Sequence, residues 1–334
     1  MTALESRRNA VRALGFALAV LSGLGLAQQA ARVRRIGVLF RARRFEESRE
    51  WNAFVQELVQ LGHVEGRTVM FEKRSGDGNN PAQLDTLAAE LARLAPDLIF
   101  AVGGTDVALA AKRATTKIPI VFYSSADPVG LGLVGSLARP GGNVTGTAIL
   151  TLDTLPKAMD LLAQATGRYR RIAYLQAVGT RSLSWYPEVV AAVTSAAKAL
   201  GATAVFVDVD AEEATESLVK RLLQQGVDAV IFGTAPPAAD DQAARLRSAL
   251  FMKYGLRTIG DPDQGFLLSY AEASQERPRI AATLVDRILK GAKPADLPVQ
   301  QPTRFELVIN LKTAKALGLT IPQSILLRAD KLIE

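Results

Sequence analysis

From Arg35 onward the apolar positions switch repeatedly between two patterns. RIGVLF (Arg35 to Phe40) is a short apolar run of the kind a strand buried on both faces requires, and Trp51, Phe54, Val55, Leu58 and Leu61 then recur at helical spacing up to Gly62. VMFEKR predicts a second strand. Asn80 and Pro81 supply an N-cap and a first helical residue for a helix that carries Leu84, Leu87, Ala88, Leu91 and Leu94 on one face. DLIFAVGG, a short helix over Thr105 to Ala114, IPIVFYSS and VTGTAIL continue the alternation, which is that of a parallel βαβ sheet.

After Leu150 the pattern restarts. A helix from Leu152 to Ala165 precedes RIAYLQAV, and a helix with Val189, Val190, Val193 and Leu200 precedes TAVFVDV. Leu218, Val219, Leu222 and Leu223 mark the next helix, and AVIFGT and RTIGD two further strands. The chain therefore reads as two α/β units in tandem, with no aligned residue pattern between them. In the tail, LLSYAEA predicts a strand, Ile280 to Leu289 a helix, GAKPADLP a turn, FELVIN a strand, and Asn310 the start of a last helix. One strand and one helix left over for each unit predict that the chain crosses back to the first lobe and then again to the second.

The 334 residues exceed what one core usually holds, in keeping with two lobes. The first residues follow another plan. Arg7, Arg8 and Arg12 precede an uncharged run from Ala13 to Ala27, with Gly25 and Ala27 at the positions a signal peptidase reads. That run is too short to span a bilayer, so residues 1–27 read as a secretory signal peptide cut near Ala27, and the mature chain as periplasmic. With no cysteine in the chain there is no lipid anchor, thiolate metal site or thiol chemistry, and the single histidine, His63, reads as structural. The formal charge of +7 is spread among acidic residues and offers no footprint for nucleic acid.

One stretch offers a specific enzyme reading. In DPVGLGLVGSLARPGGNVTG, Gly130, Gly132 and Gly135 spell G-x-G-x-x-G, and Asp153 stands 18 residues beyond Gly135. A dinucleotide site needs the first glycine at the strand end and a full helix after the last. Here four residues separate the strand from Gly130, and Pro140 stops any crossover helix. The glycines therefore predict a loop around a short apolar turn, with no cofactor.

The same stretch, with IPIVF before it, resembles the signature of the ABC-transporter substrate-binding proteins related to the TrpX-type aromatic amino-acid binders. The resemblance extends through LVQLGHVEGRTVMFEKRS, LAAELARLAPDLIFAVGG and ILKGAKPADLPVQQPTRFELVINLKTAKALGLTIPQSILLRADKLIE. Between about Thr151 and Gly260 only the alternation matches. The family implies a type I periplasmic-binding fold: two doubly wound α/β lobes with parallel sheets, joined by three crossings, with ligand in the cleft. Together with the element count this places hinges near Leu150, Phe266 and Pro298. Lobe 1 is then 32–150 plus 266–297, and lobe 2 is 151–265 plus 298–334.

Open α/β sheets bind ligands beyond the carboxyl ends of their strands. In the first lobe those positions are Arg41 with Arg43 and Arg44, Gly104 and Thr105, Ser124 and Ser125, and Asp127, which also suits a turn cap. Gly104-Thr105 at a helix start is a seat for a carboxylate. In the second lobe they are Thr180, Thr234, Asp261 and Asp263, with Trp185 and Tyr186 as a possible aromatic wall. Family members that bind amino acids place an acid or amide after the strand ending FGT here, to meet the α-ammonium group. Thr234-Ala235-Pro236-Pro237 stands there instead, leaving Asp261 or Asp263 as substitutes and an aromatic acid or other small carboxylate as an equal alternative to an amino acid. The expected role is thus solute capture by hinge closure for a membrane permease, by a monomer without metal or cofactor. A periplasmic sensing module is the alternative, and an enzyme on the same scaffold the less favoured one.

Overall fold

The computed structural model describes residues 32–41, 48–76, 81–124, 127–149, 151–183, 185–210, 213–233, 241–273 and 275–334. The first lobe is a five-stranded parallel sheet in the order β2-β1-β3-β4-β5, made of β1 (Arg34–Phe40), β2 (Val69–Ser75), β3 (Leu98–Val102), β4 (Ile120–Ser124) and β5 (Val144–Ala148). Every residue of β3 and β5 is buried, as their unbroken apolar and small-residue runs require. Helices α1 (Arg49–Gln60), α2 (Pro81–Arg93) and α3 (Thr105–Ala114) connect the strands. Ser48 caps α1 by accepting from the Trp51 amide at 3.1 Å.

The connection from β4 to β5 contains no helix among the described residues. Asp127 Oδ1 accepts from the Val129 amide at 2.8 Å, and the amides of Leu133 and Val134 both donate to the Pro128 carbonyl. Leu133 and Val134 are buried inside this glycine-bearing coil, which is a folded apolar turn with no helix N-terminus to seat a pyrophosphate.

The second lobe holds seven strands in the order β12-β11-β10-β9-β8-β6-β7. They are β6 (Arg171–Ala177), β7 (Thr203–Val209), β8 (Ala229–Phe232), β9 (Arg257–Ile259), β10 (Leu268–Glu272), β11 (Phe305–Asn310) and β12 (Lys331–Ile333). Pairing is parallel except between β10 and β11. Helices α4 (Thr151–Thr166), α5 (Tyr186–Ala199), α6 (Thr215–Gln224) and α7 (Asp241–Lys253) cover this sheet. Next, α8 (Glu276–Leu289) packs on the first lobe, while the short α9 (Leu311–Ala316) and α10 (Gln323–Leu326) return to the second. Asn310 caps α9 through the Thr313 amide at 3.0 Å.

Placement of LLSYAEA in the first lobe, with a division at Phe266, is corrected by this topology. The Gly260 amide donates to the Leu268 carbonyl and the Asn310 amide to the Leu267 carbonyl, while Thr258 Oγ1 accepts from the Leu267 amide at 2.8 Å. These bonds zip β10 onto β9 and β11, so the chain returns to the first lobe only after Glu272.

Each sheet carries a core on both faces. In the first lobe α1 and α8 cover one face, where Phe54 stacks on Phe100 with ring centroids 4.3 Å apart, and α2 and α3 cover the other. In the second, α4 and α5 pack opposite α6 and α7. Burying each large side chain contributes about 1.5–3 kcal/mol. The crossings are knitted together: the Ala148 amide donates to the Gln300 carbonyl, the Gln300 amide to the Gly146 carbonyl and the Ala273 amide to the Arg304 carbonyl. Glu276 accepts from the amides of Thr303 and Arg304, each at 3.0 Å. Burial opposes its charge, but these backbone bonds win and hold its carboxyl below the usual range.

Candidate binding cleft between the lobes

The strand order reverses between β1 and β3 in the first sheet and between β6 and β8 in the second, and loops diverge at such switch points to leave a crevice. On the first, the Arg41 amide donates to the Val102 carbonyl, and its guanidinium Nη1 donates to the Gly103 carbonyl at 3.2 Å. Gly103 and Gly104 have φ of +107° and +130°, and a Cβ on Gly103 would stand 2.6 Å from the Arg41 Cβ. Only glycine lets the strand end turn under that arginine. Gly104 then caps α3 and the buried Thr105 is its first residue. Burial lowers the Arg41 pKa, opposed by the nearby charge of Asp106 in the first turn of α3.

Asp106 also reaches across the cleft. Its Oδ2 accepts from the indole Nε1 of Trp185 in the second lobe at 3.0 Å. Leu131, from the glycine-bearing coil, packs against the second-lobe core that contains Trp185. The two lobes therefore touch along this rim.

A cavity of about 800 Å³ lies between first-lobe, second-lobe and hinge residues. Its walls include Glu50 from α1, Phe232, Gly233 and Arg247 from the second lobe, and Glu272 and Gln275 from the crossing. Arg247 is buried with its guanidinium carbon 5.5 Å from the Phe232 ring. Its pKa is lowered by burial, against which Glu213 acts.

Of the residues singled out in the sequence, Asp261 and Asp263 line this cavity. Asp261 Oδ1 accepts from the Asp263 amide at 3.0 Å and Oδ2 from Gln264 Nε2 at 3.2 Å, capping the turn Pro262–Gln264. Asp263 pairs with Lys331 Nζ at 3.6 Å. Arg41, Gly104 and Thr105 come together at the first switch point, off the wall of this cavity. Thr180 is buried in the turn after β6, and Tyr186 begins α5 within the second-lobe core. Asp127 caps its own turn. Ser124 ends β4 with its side chain outside the described residues, where Arg43, Arg44, Ser125 and Thr234 also lie.

Glu50, Arg247, Tyr270 and Glu272 are cavity residues that strand-end reasoning passed over. Glu50 and Arg247 sit in helices, where a charged residue reads as a solvated face, and the helix Asp241–Lys253 has no counterpart in the elements the apolar pattern predicts. Glu272 closes the strand that leads into the crossing. Among the described residues no cluster suits a metal ion, and no helix is long and apolar enough to cross a membrane.

Two α/β lobes that join through three crossings and enclose a cleft at the carboxyl ends of their strands define the type I solute-binding class. The sequence pattern of the family described as ABC transporter substrate binding protein matches residues 49–333, and the chain belongs to that family. It is 32% identical over 123 residues to a tyrosine-binding protein of Clostridioides difficile, a match covering 36% of this chain and 34% of that relative. The chain thus aligns with about a third of that protein's length. Its fold resembles an ABC domain from Streptococcus pneumoniae in complex with L-Trp, with a TM-score of 0.71 and 23% identity, covering 90% of this chain and all of the other. It also resembles a ligand-free, open substrate-binding protein with adhesive properties from Clostridium difficile, with a TM-score of 0.61 and 21% identity over 90% and 99% of the two chains.

Proposed function

We propose that the chain is an extracytoplasmic receptor that captures a small molecule (an amino acid, an aromatic acid or another small carboxylate) between its lobes and delivers it to the membrane subunits of an ABC permease. The carrying observation is the cavity of about 800 Å³ walled by the second lobe and the crossing segment, with Glu50 facing it from the first lobe. Residues 1–27 are the export signal and are cut near Ala27 in this reading. Hinge closure supplies the affinity, because a ligand held by both lobes favours the closed arrangement by its difference in affinity for the two states. Gly104 and Thr105 seat a carboxylate at the start of α3, and Arg41 fixes that loop. The relatives described as tyrosine-binding and as an L-Trp complex support the choice of aromatic amino acids as first candidates.

Thermal unfolding of residues 28–334 against amino acids, aromatic acids, sugars and nucleotides tests this reading. A ligand at 100 times its dissociation constant adds about 2.7 kcal/mol, which raises the midpoint by a few degrees. One carboxylate-bearing class doing so supports the proposal. A response confined to sugars or nucleotides, or a flat panel with protein shown ligand-free by native mass spectrometry, overturns it.

A further inference from the structure

Glu272, on the wall of the cavity, leads back to two buried polar groups whose bonding is incomplete. Tyr123 is 2% exposed and its Oη has no hydrogen-bond partner, and Arg277, at 8%, has none for its Nε. The guanidinium carbon of Arg277 sits 4.5 Å from the centre of the Tyr123 ring, and its Nη1 donates to Glu272 Oε1 at 3.2 Å. Glu272 lines the cavity, and so does Glu50, from the first turn of α1. Unlike Glu272, the half-buried Glu50 has no side-chain hydrogen bond or ion pair among the described residues. Buried polar atoms without partners are rare in folded proteins and mark places where a water or a ligand atom completes the bonding.

Arg277 is committed to Glu272, Arg247 is stacked against Phe232 and Lys331 is paired with Asp263, so among the described residues no cation pairs with Glu50 on the cavity wall. The phenol of Tyr123 stays neutral: burial pushes its pKa up, Arg277 opposes this, and Glu50 and Glu272 add to it. It therefore adds no negative charge to compete with Glu50. Asp261 and Asp263, the acids that the sequence offered for an ammonium group, are engaged in a turn cap and with Lys331.

We infer that Glu50 is the counter-ion for an ammonium group on the ligand, so that this cleft selects α-amino acids over their deaminated analogues. The inference rests on the receptor reading and names its substrate class. The N–H donors of an ammonium match the acceptor oxygens of the Glu50 carboxylate, in a charge-assisted pair. Arg277 acts as a positioning residue by occupying Glu272, which leaves Glu50 as the acid presented from this side.

Calorimetric titrations with tryptophan and tyrosine, each paired with indole-3-propionate and 3-(4-hydroxyphenyl)propionate, test it on the wild type, Glu50→Gln and the same-helix control Glu57→Gln. The expected result is that the wild type and Glu57→Gln bind an amino acid at least tenfold more tightly than its deaminated partner, while Glu50→Gln loses that tenfold preference and keeps its unfolding midpoint. Tighter binding of the deaminated acids by the wild type, or an unchanged preference in Glu50→Gln, overturns the inference and leaves the receptor standing. No binding of any of the four overturns this inference, and a flat thermal panel beside it removes the receptor reading as well.

Discussion

Replacing Trp185 by phenylalanine removes one N–H from the rim of the cleft and keeps most of the aromatic volume. The bond lost joins the indole to a carboxylate on the other lobe at 3.0 Å, and hydrogen bonds to charged groups contribute about 1.5–3 kcal/mol. Asp106 is only half-buried, so the lower end applies, and about 1.4 kcal/mol is a tenfold change in an equilibrium. The ratio of closed to open molecules should therefore fall about tenfold in Trp185→Phe, with the fold of each lobe intact. The chain has no cysteine, so spin labels on Thr86→Cys in the first lobe and Lys198→Cys in the second report the interlobe distance without background. Pulsed electron–electron resonance should show weight moving from a short to a longer distance in the Phe variant. Asp106→Ala should move it equally, and the double variant no further. Identical distance distributions in all four proteins would refute the claim that this contact biases closure.

Asp286, between His63 Nε2 at 2.8 Å and Lys290 Nζ at 2.7 Å, is opposed by burial but held below the usual carboxylate range by those two partners. A depressed folded-state pKa means stability that is present above the unfolded value, about pH 4, and lost as the pH falls through the folded one. Urea unfolding should show Asp286→Asn destabilised by about 1–3 kcal/mol at pH 7 and by much less at pH 3. Gly103→Ala places a Cβ 2.6 Å from that of Arg41 on a backbone with φ of +107°, and should cost at least about 1–3 kcal/mol and weaken ligand binding; unchanged unfolding and affinity would contradict the role given to that loop. Phe100→Ala, in the stacked core of the first lobe, should lose about 3–5 kcal/mol in the same assay.

The strands and helices that form the two sheets were readable because their signal is local. LIFAV and AVIF are apolar runs that only a doubly covered sheet can hide, and Asn310 carries its cap in its own side chain. Strand Leu268–Glu272 was readable as a strand, but its neighbour was not. Its place depends on the Thr258 hydroxyl and on backbone bonds to Gly260 and Asn310, which no pattern within LLSYAEA encodes. The site divides in the same way. Gly103-Gly104-Thr105 announces itself at a strand end, whereas Glu50, Tyr123, Glu272 and Arg277 lie on four separate elements and meet only when α8 returns to the first lobe. Asp261 and Asp263 looked equally available in the sequence, and the turn that consumes Asp261 depends on where Gln264 falls in space.

The central claim is that the cleft holds one small molecule per chain. Equilibrium dialysis of residues 28–334 against labelled tryptophan and tyrosine measures this directly. The account predicts saturable uptake approaching one molecule per chain for at least one of them, displaced by the unlabelled amino acid and weakened at least tenfold in Glu50→Gln. Uptake that rises linearly without saturation for both compounds would contradict it.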